Sequence, residues 1–238
     1  MLAVHGLEAR YGDSKVLYGV SFQVGPGEVV SLLGRNGMGK TTTVRTIMGL
    51  TRACAGSVRF HGLELVGMAS HRIARAGLGL VPEGRQIFPN LLVWENLEVA
   101  RPSSRHTGAG KRGGEWDVER VFALFPALAE RKHSAGSQLS GGEQQMLAIG
   151  RALMTEPSLM ILDEATEGLA PLVRTAIWQS LEALKAQGQS ILLIDKNLDA
   201  LLRVADRHYV MEKGRVVWQG ESAALTNDEC LKNRYLGV

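Results

Sequence analysis

Three short stretches of the sequence hold residue types at spacings that could do chemistry. The first, Gly34-Arg35-Asn36-Gly37-Met38-Gly39-Lys40-Thr41, follows the pattern G-x-x-x-x-G-K-[ST]. Glycines let successive backbone N–H groups turn inward around a phosphate, and a helix starting there adds its partial positive charge. Lys40 is then placed to reach the β- and γ-phosphates of a nucleoside triphosphate, Thr41 to hold Mg²⁺, and Thr42 to line the same loop. The second stretch, Leu159-Met160-Ile161-Leu162-Asp163-Glu164, is an apolar strand ending in two acids. An acid at the C-terminal end of a parallel strand points into a ligand crevice. Asp163 suits the Mg²⁺ shell and Glu164 suits a base that positions or deprotonates water; plain solvated strand ends are the other reading. The third stretch, Leu139-Ser140-Gly141-Gly142-Glu143-Gln144-Gln145, has no enzymatic chemistry of its own. Ser140 with Glu143 three residues on reads as a capping box, and the helix start would also serve as a second anion site.

The elements that must position these residues are legible in outline. Alternation from Val16 to Val24 predicts a half-buried antiparallel strand, closed by Gly25-Pro26-Gly27. Glu28 to Leu33 reads as a buried parallel strand, followed by a helix from about Gly39 to Met48 that stops at Gly49. Gly56 to Leu65 alternates again and predicts a further peripheral strand. From about 84 to 155 the chain turns mostly helical, clearest at Glu115 to Leu124 and Glu143 to Met154. Arg101 to Gly114, rich in Ser, Gly, Arg and Lys, reads as a mobile loop. Buried strands are expected at Ser158 to Asp163 and Ser190 to Asp195, with a helix between them carrying Ile177, Leu181 and Leu184 on one face. His208 to Met211 and Arg215 to Trp218 predict a hairpin. The sum is a single α/β domain over 1–238: a mainly parallel sheet, an antiparallel β-subdomain, and a helical subdomain inserted at about 84–155.

Composition narrows the function classes. With 45% hydrophobic and 21% charged residues in 238, the chain is neither disordered nor collagen-like. Lys and Arg (27) barely exceed Asp and Glu (24), a mildly basic balance that requires no nucleic-acid partner. Cys54 and Cys230 stand far apart, so neither a zinc site nor a disulfide framework can be read. His5, His61, His71, His106, His133 and His208 show no metal-ligand spacing. No apolar run approaches the roughly 18–20 residues that span a bilayer, and no secretory signal is seen. Association with a membrane is therefore expected through a partner.

Together, the phosphate loop, the Leu-Ser-Gly-Gly-Glu-Gln-Gln stretch and Ile161-Leu162-Asp163-Glu164 resemble an ABC-type ATPase over essentially the whole chain. The resemblance implies a P-loop NTPase core that binds and hydrolyses MgATP and works as a dimer with a second ABC ATPase subunit, identical or not. Each ATP would lie between Gly34 to Thr42 of one subunit and the signature residues Ser140, Gly141, Gly142, Glu143 and Gln144 of the other. Tyr11 resembles the aromatic that stacks on adenine; a strand-edge tyrosine is the alternative. Glu83 falls at the Q-loop glutamine, beside Thr41 and Asp163 at the Mg²⁺, and Lys196 at the switch histidine. Ala170 stands for the D-loop aspartate and Ala165 for a proline.

Val81-Pro82-Glu83-Gly84-Arg85 and Glu167-Gly168-Leu169-Ala170-Pro171 narrow the resemblance to importers of branched-chain amino acids, with urea and short-amide importers closely similar. That group implies transmembrane permease subunits, an extracytoplasmic solute-binding protein acting indirectly, and a peripheral place on the cytoplasmic face of the inner membrane. ABC ATPases of DNA repair or translation carry long insertions, zinc cysteines or paired cassettes, which this length and cysteine count do not fit, so no nucleic acid is expected. Lys196 and Ala170 leave open a regulatory module of low turnover.

Two expectations are specific to this chain. Lysine only donates, so Lys196 is expected to neutralise γ-phosphate charge, and to pair with Glu83 or Glu164 when nucleotide is absent. Ile87, Phe88, Leu91, Leu92 and Trp94 form an apolar stretch that either docks the permease or fills the insertion's own core. Within it, Leu92 stands where the family often has a threonine that would cap the next helix with Glu95.

Overall fold

The computed structural model describes residues 1–102 and 116–236. An antiparallel sheet holds β1 (Leu2–Tyr11), β2 (Ser14–Val24), β4 (Ala53–Phe60) and β5 (Leu63–Glu64) in the order β2-β1-β4-β5. The larger sheet holds β3 (Val29–Leu33), β6 (Leu78–Val81), β7 (Leu159–Asp163), β8 (Ser190–Ile194), β9 (Arg207–Glu212) and β10 (Arg215–Gly220). Its order is β10-β9-β3-β8-β7-β6; all neighbours are parallel except the β9–β10 hairpin at the edge. Helix α1 (Lys40–Ile47) follows β3, and α2 (Ser70–Arg75) precedes β6. Between β6 and β7 come α3 (Val93–Glu98), α4 (Val118–Leu124), α5 (Pro126–Glu130) and α6 (Gly141–Met154). Helix α7 (Pro171–Ala186) leads to β8, α8 (Leu198–Val204) to β9, and α9 (Ser222–Asn227) follows β10.

Strand β7 shows why the sheet reads as an unbroken apolar run. Leu159 and Ile161 pack on one face with Val44 and Ile47 of α1 and with Leu7 and Leu17 of the antiparallel sheet. Met160 and Leu162 pack on the other with Leu147 and Leu153 of α6 and Ile177 and Leu181 of α7. A strand covered on both faces has no polar alternation to show. Strand β1 escaped the sequence reading for the opposite reason. Its alternation breaks between Val4 and Leu7, where the pairing shifts register and Gly6 takes φ 56°. The strand expected from Gly56 to Leu65 is two strands, β4 and β5, turning at His61 and Gly62.

Helix starts are set by their caps. Asp117 accepts from the Arg120 N–H at 2.7 Å, so α4 begins at Val118 rather than at Glu115, which lies outside the described residues. The signature helix α6 begins at Gly141, two residues before the expected Glu143. The loop expected from Arg101 to Gly114 lies outside the described residues from position 103 on. One buried polar group ties the sheet to the C-terminal region. The fully buried His208 ring meets Ser31 Oγ at 2.6 Å and Ser222 Oγ at 2.8 Å, and burial pushes its pKa down to about 4.

Candidate active site

The predicted catalytic positions gather at the C-terminal ends of β3, β8, β7 and β6, which lie side by side in the sheet. After β3 the chain closes on itself. Gly34 has φ 140°, and a β-carbon there would lie 2.4 Å from the Met211 carbonyl oxygen. Gly39 has φ 100° and would meet Leu17 Cδ2 at 2.9 Å. Neither position has room for a side chain. Between them Arg35, Asn36 and Gly37 are exposed, while the Met38 carbonyl accepts from the Gly214 N–H at 3.0 Å and anchors the loop to the β9–β10 turn. Lys40 is buried and folds back on its own loop, donating to the Gly34 and Arg35 carbonyls at 2.7 and 2.9 Å. Burial lowers its pKa.

Thr41, Glu83 and Asp163 meet from three different elements. The Thr41 hydroxyl donates to Glu83 Oε1 at 2.8 Å and has Asp163 Oδ1 at 3.3 Å. Asp163 is buried at the end of β7, and burial raises its pKa to about 6, with the Glu83 charge adding to the rise. Two carboxylates with a hydroxyl between them form an oxygen-only donor set, which fits Mg²⁺. A divalent cation there would offset the burial penalty and the Glu83 repulsion that together favour the protonated acid.

Glu164 sits at the turn out of β7 with φ 52°, its N–H donating to the Ile194 carbonyl at 2.7 Å. A hydrogen bond to Glu167, then burial, raise its pKa to about 7. Asp195, just past β8, holds this turn: its Oδ2 accepts from the Thr166 N–H at 3.1 Å and from Thr166 Oγ1 at 2.7 Å. Lys196 comes next and pairs with Glu167, leaving its Nζ 3.9 Å from Glu164 Oε2. The expected contact with Glu164 is thus a long one. The alternative contact with Glu83 is not made: Lys196 pairs with Glu167, while Glu83 Oε1 accepts from Thr41. Sequence reading missed Glu167 and Asp195 as parts of the site. The available signal was spacing: Glu167 follows Glu164 by three, which puts both on one side of a turn, and Asp195 immediately precedes Lys196.

Tyr11 ends β1, 47% exposed as a residue, with its hydroxyl 3.4 Å from Thr51 Oγ1 and near Thr42 of α1. The capping box at α6 is formed: Ser140 N–H donates to Glu143 Oε2 at 2.7 Å, and Glu143 N–H to Ser140 Oγ at 3.3 Å. Gln144 Nε2 donates to the Gly136 and Leu139 carbonyls, both at 3.3 Å. Gly142 is packed so tightly that a β-carbon would lie 2.4 Å from Val173 Cγ1 of α7. Among the described residues, no hydrogen bond or ion pair joins Ser140 to Gln144 with the phosphate loop of the same chain.

The segment after Glu83 is organised by side chains. The buried Asn96 accepts from the Phe88 N–H at 2.8 Å and donates to the carbonyls of Phe88, Leu91 and Leu92 at 2.9 to 3.1 Å. Arg151 of α6 donates to the Gln86 carbonyl at 2.6 Å and stacks on the Phe88 ring at 4.3 Å. Leu92 supplies no acceptor, so only the return half of a capping box exists at α3, from Leu92 N–H to Glu95 Oε2 at 2.8 Å. Phe88 and Trp94 are 45% and 39% exposed, while Ile87, Leu91 and Leu92 are half-buried.

A phosphate loop between a buried parallel strand and a helix, with an acid pair at the end of a nearby strand, defines a P-loop ATPase. Residues 17–167 match the family described as ABC transporter. The high-affinity branched-chain amino acid transport ATP-binding protein BraG of Pseudomonas aeruginosa is 41% identical over 237 residues, covering 100% of both chains. The Nod factor export ATP-binding protein I of Rhizobium etli is 37% identical, covering 92% of this chain and 67% of that protein. Among solved structures, an ATP-binding subunit of an ABC transporter superposes with TM-score 0.82 at 30% identity, over 100% of this chain and 96% of that one. A nucleotide-free ATP-binding cassette gives TM-score 0.81 at 27% identity, over 97% and 96%. The chain belongs to the ABC transporter family, as an ATP-hydrolysing subunit.

Proposed function

We propose that this chain is the ATPase subunit that energises uptake of branched-chain, hydrophobic amino acids through transmembrane permease partners. The observation that carries the catalytic part is the meeting of Thr41, Glu83 and Asp163 beside Glu164 at adjacent strand ends. The solute class is supported by the full-length likeness to the branched-chain amino acid transport subunit. No helix among the described residues is long and apolar enough to cross a membrane. The reading therefore places the chain against permease subunits on the cytoplasmic side of the inner membrane, with a solute-binding protein beyond them.

The chain's own residues would act as follows. Lys40 leaves the Gly34 and Arg35 carbonyls for the terminal phosphates, and the loop N–H groups and the start of α1 hold the rest of the triphosphate. Thr41, Asp163 and Glu83 would hold Mg²⁺, which when bound offsets charge on the phosphate oxygens. Glu164 accepts the proton of the attacking water, for which a pKa near 7 is well matched. Tyr11 offers an open ring face to adenine.

A second subunit supplies the other half of the site. The exposed Ser140 oxygen accepts from Glu143 N–H, which leaves its own proton to donate to a partner's γ-phosphate, so the cap and the anion contact are compatible. Leu172, 86% exposed at the start of α7, adds an apolar group beside that face. The half-exposed Phe88, tied through Arg151 to α6, and Trp94 are the groups that would meet the permease.

Uptake by vesicles reconstituted with this subunit, permease subunits and a solute-binding protein tests the reading. ATP-dependent accumulation of leucine, with none of urea or acetamide, is expected. Accumulation of urea alone would replace the solute class, and absence of ATP hydrolysis would remove the enzymatic role.

A further inference from the structure

Beyond the bond from Glu164 N–H to the Ile194 carbonyl, the turn that carries Glu164 is joined to the two residues after β8 by side-chain contacts of different character. The first is Asp195, whose carboxylate accepts from the Thr166 N–H and hydroxyl on one side and from the Asn197 N–H at 2.9 Å on the other. Thr166 is buried, so this join is a fixed one. The second is the pair between Lys196 and Glu167, whose side chains are 46% and 50% exposed. Both line an open cavity of about 720 Å³ that also reaches Glu164, Arg174 and Lys232. The Lys196 ammonium therefore has room to leave Glu167 without displacing packed atoms.

We infer that Glu167 is a positioning residue for the ATPase reaction: it holds the Lys196 ammonium beside Glu164 in the nucleotide-free subunit, and ATP must draw Lys196 away from it to complete the site. The inference rests on the functional reading above, in which Lys196 turns to the γ-phosphate when the two subunits close on ATP. The ammonium has three donors but a single positive charge, so the Glu167 carboxylate that neutralises it also repels an incoming phosphate. Glu167 and the γ-phosphate then compete for one cation. Asp195 keeps the turn in place while that exchange occurs, so Glu164 does not move with Lys196.

Steady-state kinetics of MgATP hydrolysis by wild type, E167Q, K196Q and the double variant test this. An exposed ion pair is worth little, so freeing Lys196 by E167Q should lower KM by about 1.5- to 5-fold. The same substitution in the K196Q background should leave KM where K196Q alone puts it. A merely structural Glu167 would give a different pattern, with kcat falling and KM unchanged or raised. That pattern, or an equal fall in KM with and without Lys196, overturns the inference. Size-exclusion chromatography of Glu164→Gln with MgATP separates this from failure of the underlying reading. If that variant does not form a nucleotide-bound dimer, the two-subunit site is wrong. If it does while E167Q leaves KM unchanged, only the role of Glu167 falls.

Discussion

The phosphate-loop end of the sheet and the segment from Glu83 to Leu97 are both irregular, yet they are held in different ways. At the phosphate loop the backbone does the holding. Gly34 and Gly39 admit no side chain, the Met38 carbonyl takes the Gly214 N–H, and Lys40 lies on two carbonyls of its own loop. In the other segment side chains add to the backbone bonds made with residues 134, 136 and 137: Asn96, from within the segment, serves residues 88, 91 and 92, and Arg151 reaches in from α6 to the Gln86 carbonyl. A backbone-built site keeps its shape for one ligand, whereas a side-chain-built segment changes whenever its few anchors change. The first arrangement suits a fixed nucleotide chemistry; the second suits the partner contact proposed above for Phe88 and Trp94.

Substitutions on the two sides should separate these behaviours. The largest effect is expected from Glu164→Gln, which removes the proton acceptor and keeps the shape. Hydrolysis by the purified subunit should fall by about 10²- to 10⁴-fold, with ATP still bound. Residual turnover at the wild-type rate would place the base elsewhere. Lys40→Ala should come next, costing about 2–5 kcal/mol of ATP affinity by isothermal titration while the fold melts nearly as before. An unchanged affinity would remove the phosphate-loop assignment.

The other segment should respond in stability rather than in chemistry. Asn96→Ala leaves the Phe88 N–H without its partner and removes one of two donors from the carbonyls of Phe88, Leu91 and Leu92, so unfolding in urea should show a loss of about 1–3 kcal/mol. ATP affinity of the isolated subunit should stay close to wild type, and a large loss of it would show that the two regions are not independently held. The smallest effect is a gain: Leu92→Thr completes the capping box with Glu95 and should raise stability by about 1 kcal/mol in the same assay. No gain would mean that the half-buried Leu92 side chain contributes as much packing as the cap returns.

Much of this molecule is local and therefore legible in the sequence. The phosphate loop, the acids ending β7 and the capped start of α6 depend on residues within a few positions of one another, and each carries its own signature of glycine spacing, apolar run or Ser-x-x-Glu. The buried strands β3, β7 and β8 were readable because a strand covered on both faces has nothing polar to interrupt it. What lay outside the sequence's reach was pairing across distance. The bulge at Gly6 hid β1, whose register is set by β2 and β4 rather than by its own alternation. The meeting of Thr41, Glu83 and Asp163 is expected only through the family resemblance; that Asp195 grips Thr166 and that Lys196 rests on Glu167 depend on strand order, which brings the ends of β3, β8, β7 and β6 together. Polar residues at strand ends look alike in a sequence; only the packed sheet decides which of them meet, because side chains a few ångströms apart in space can be dozens of residues apart along the chain.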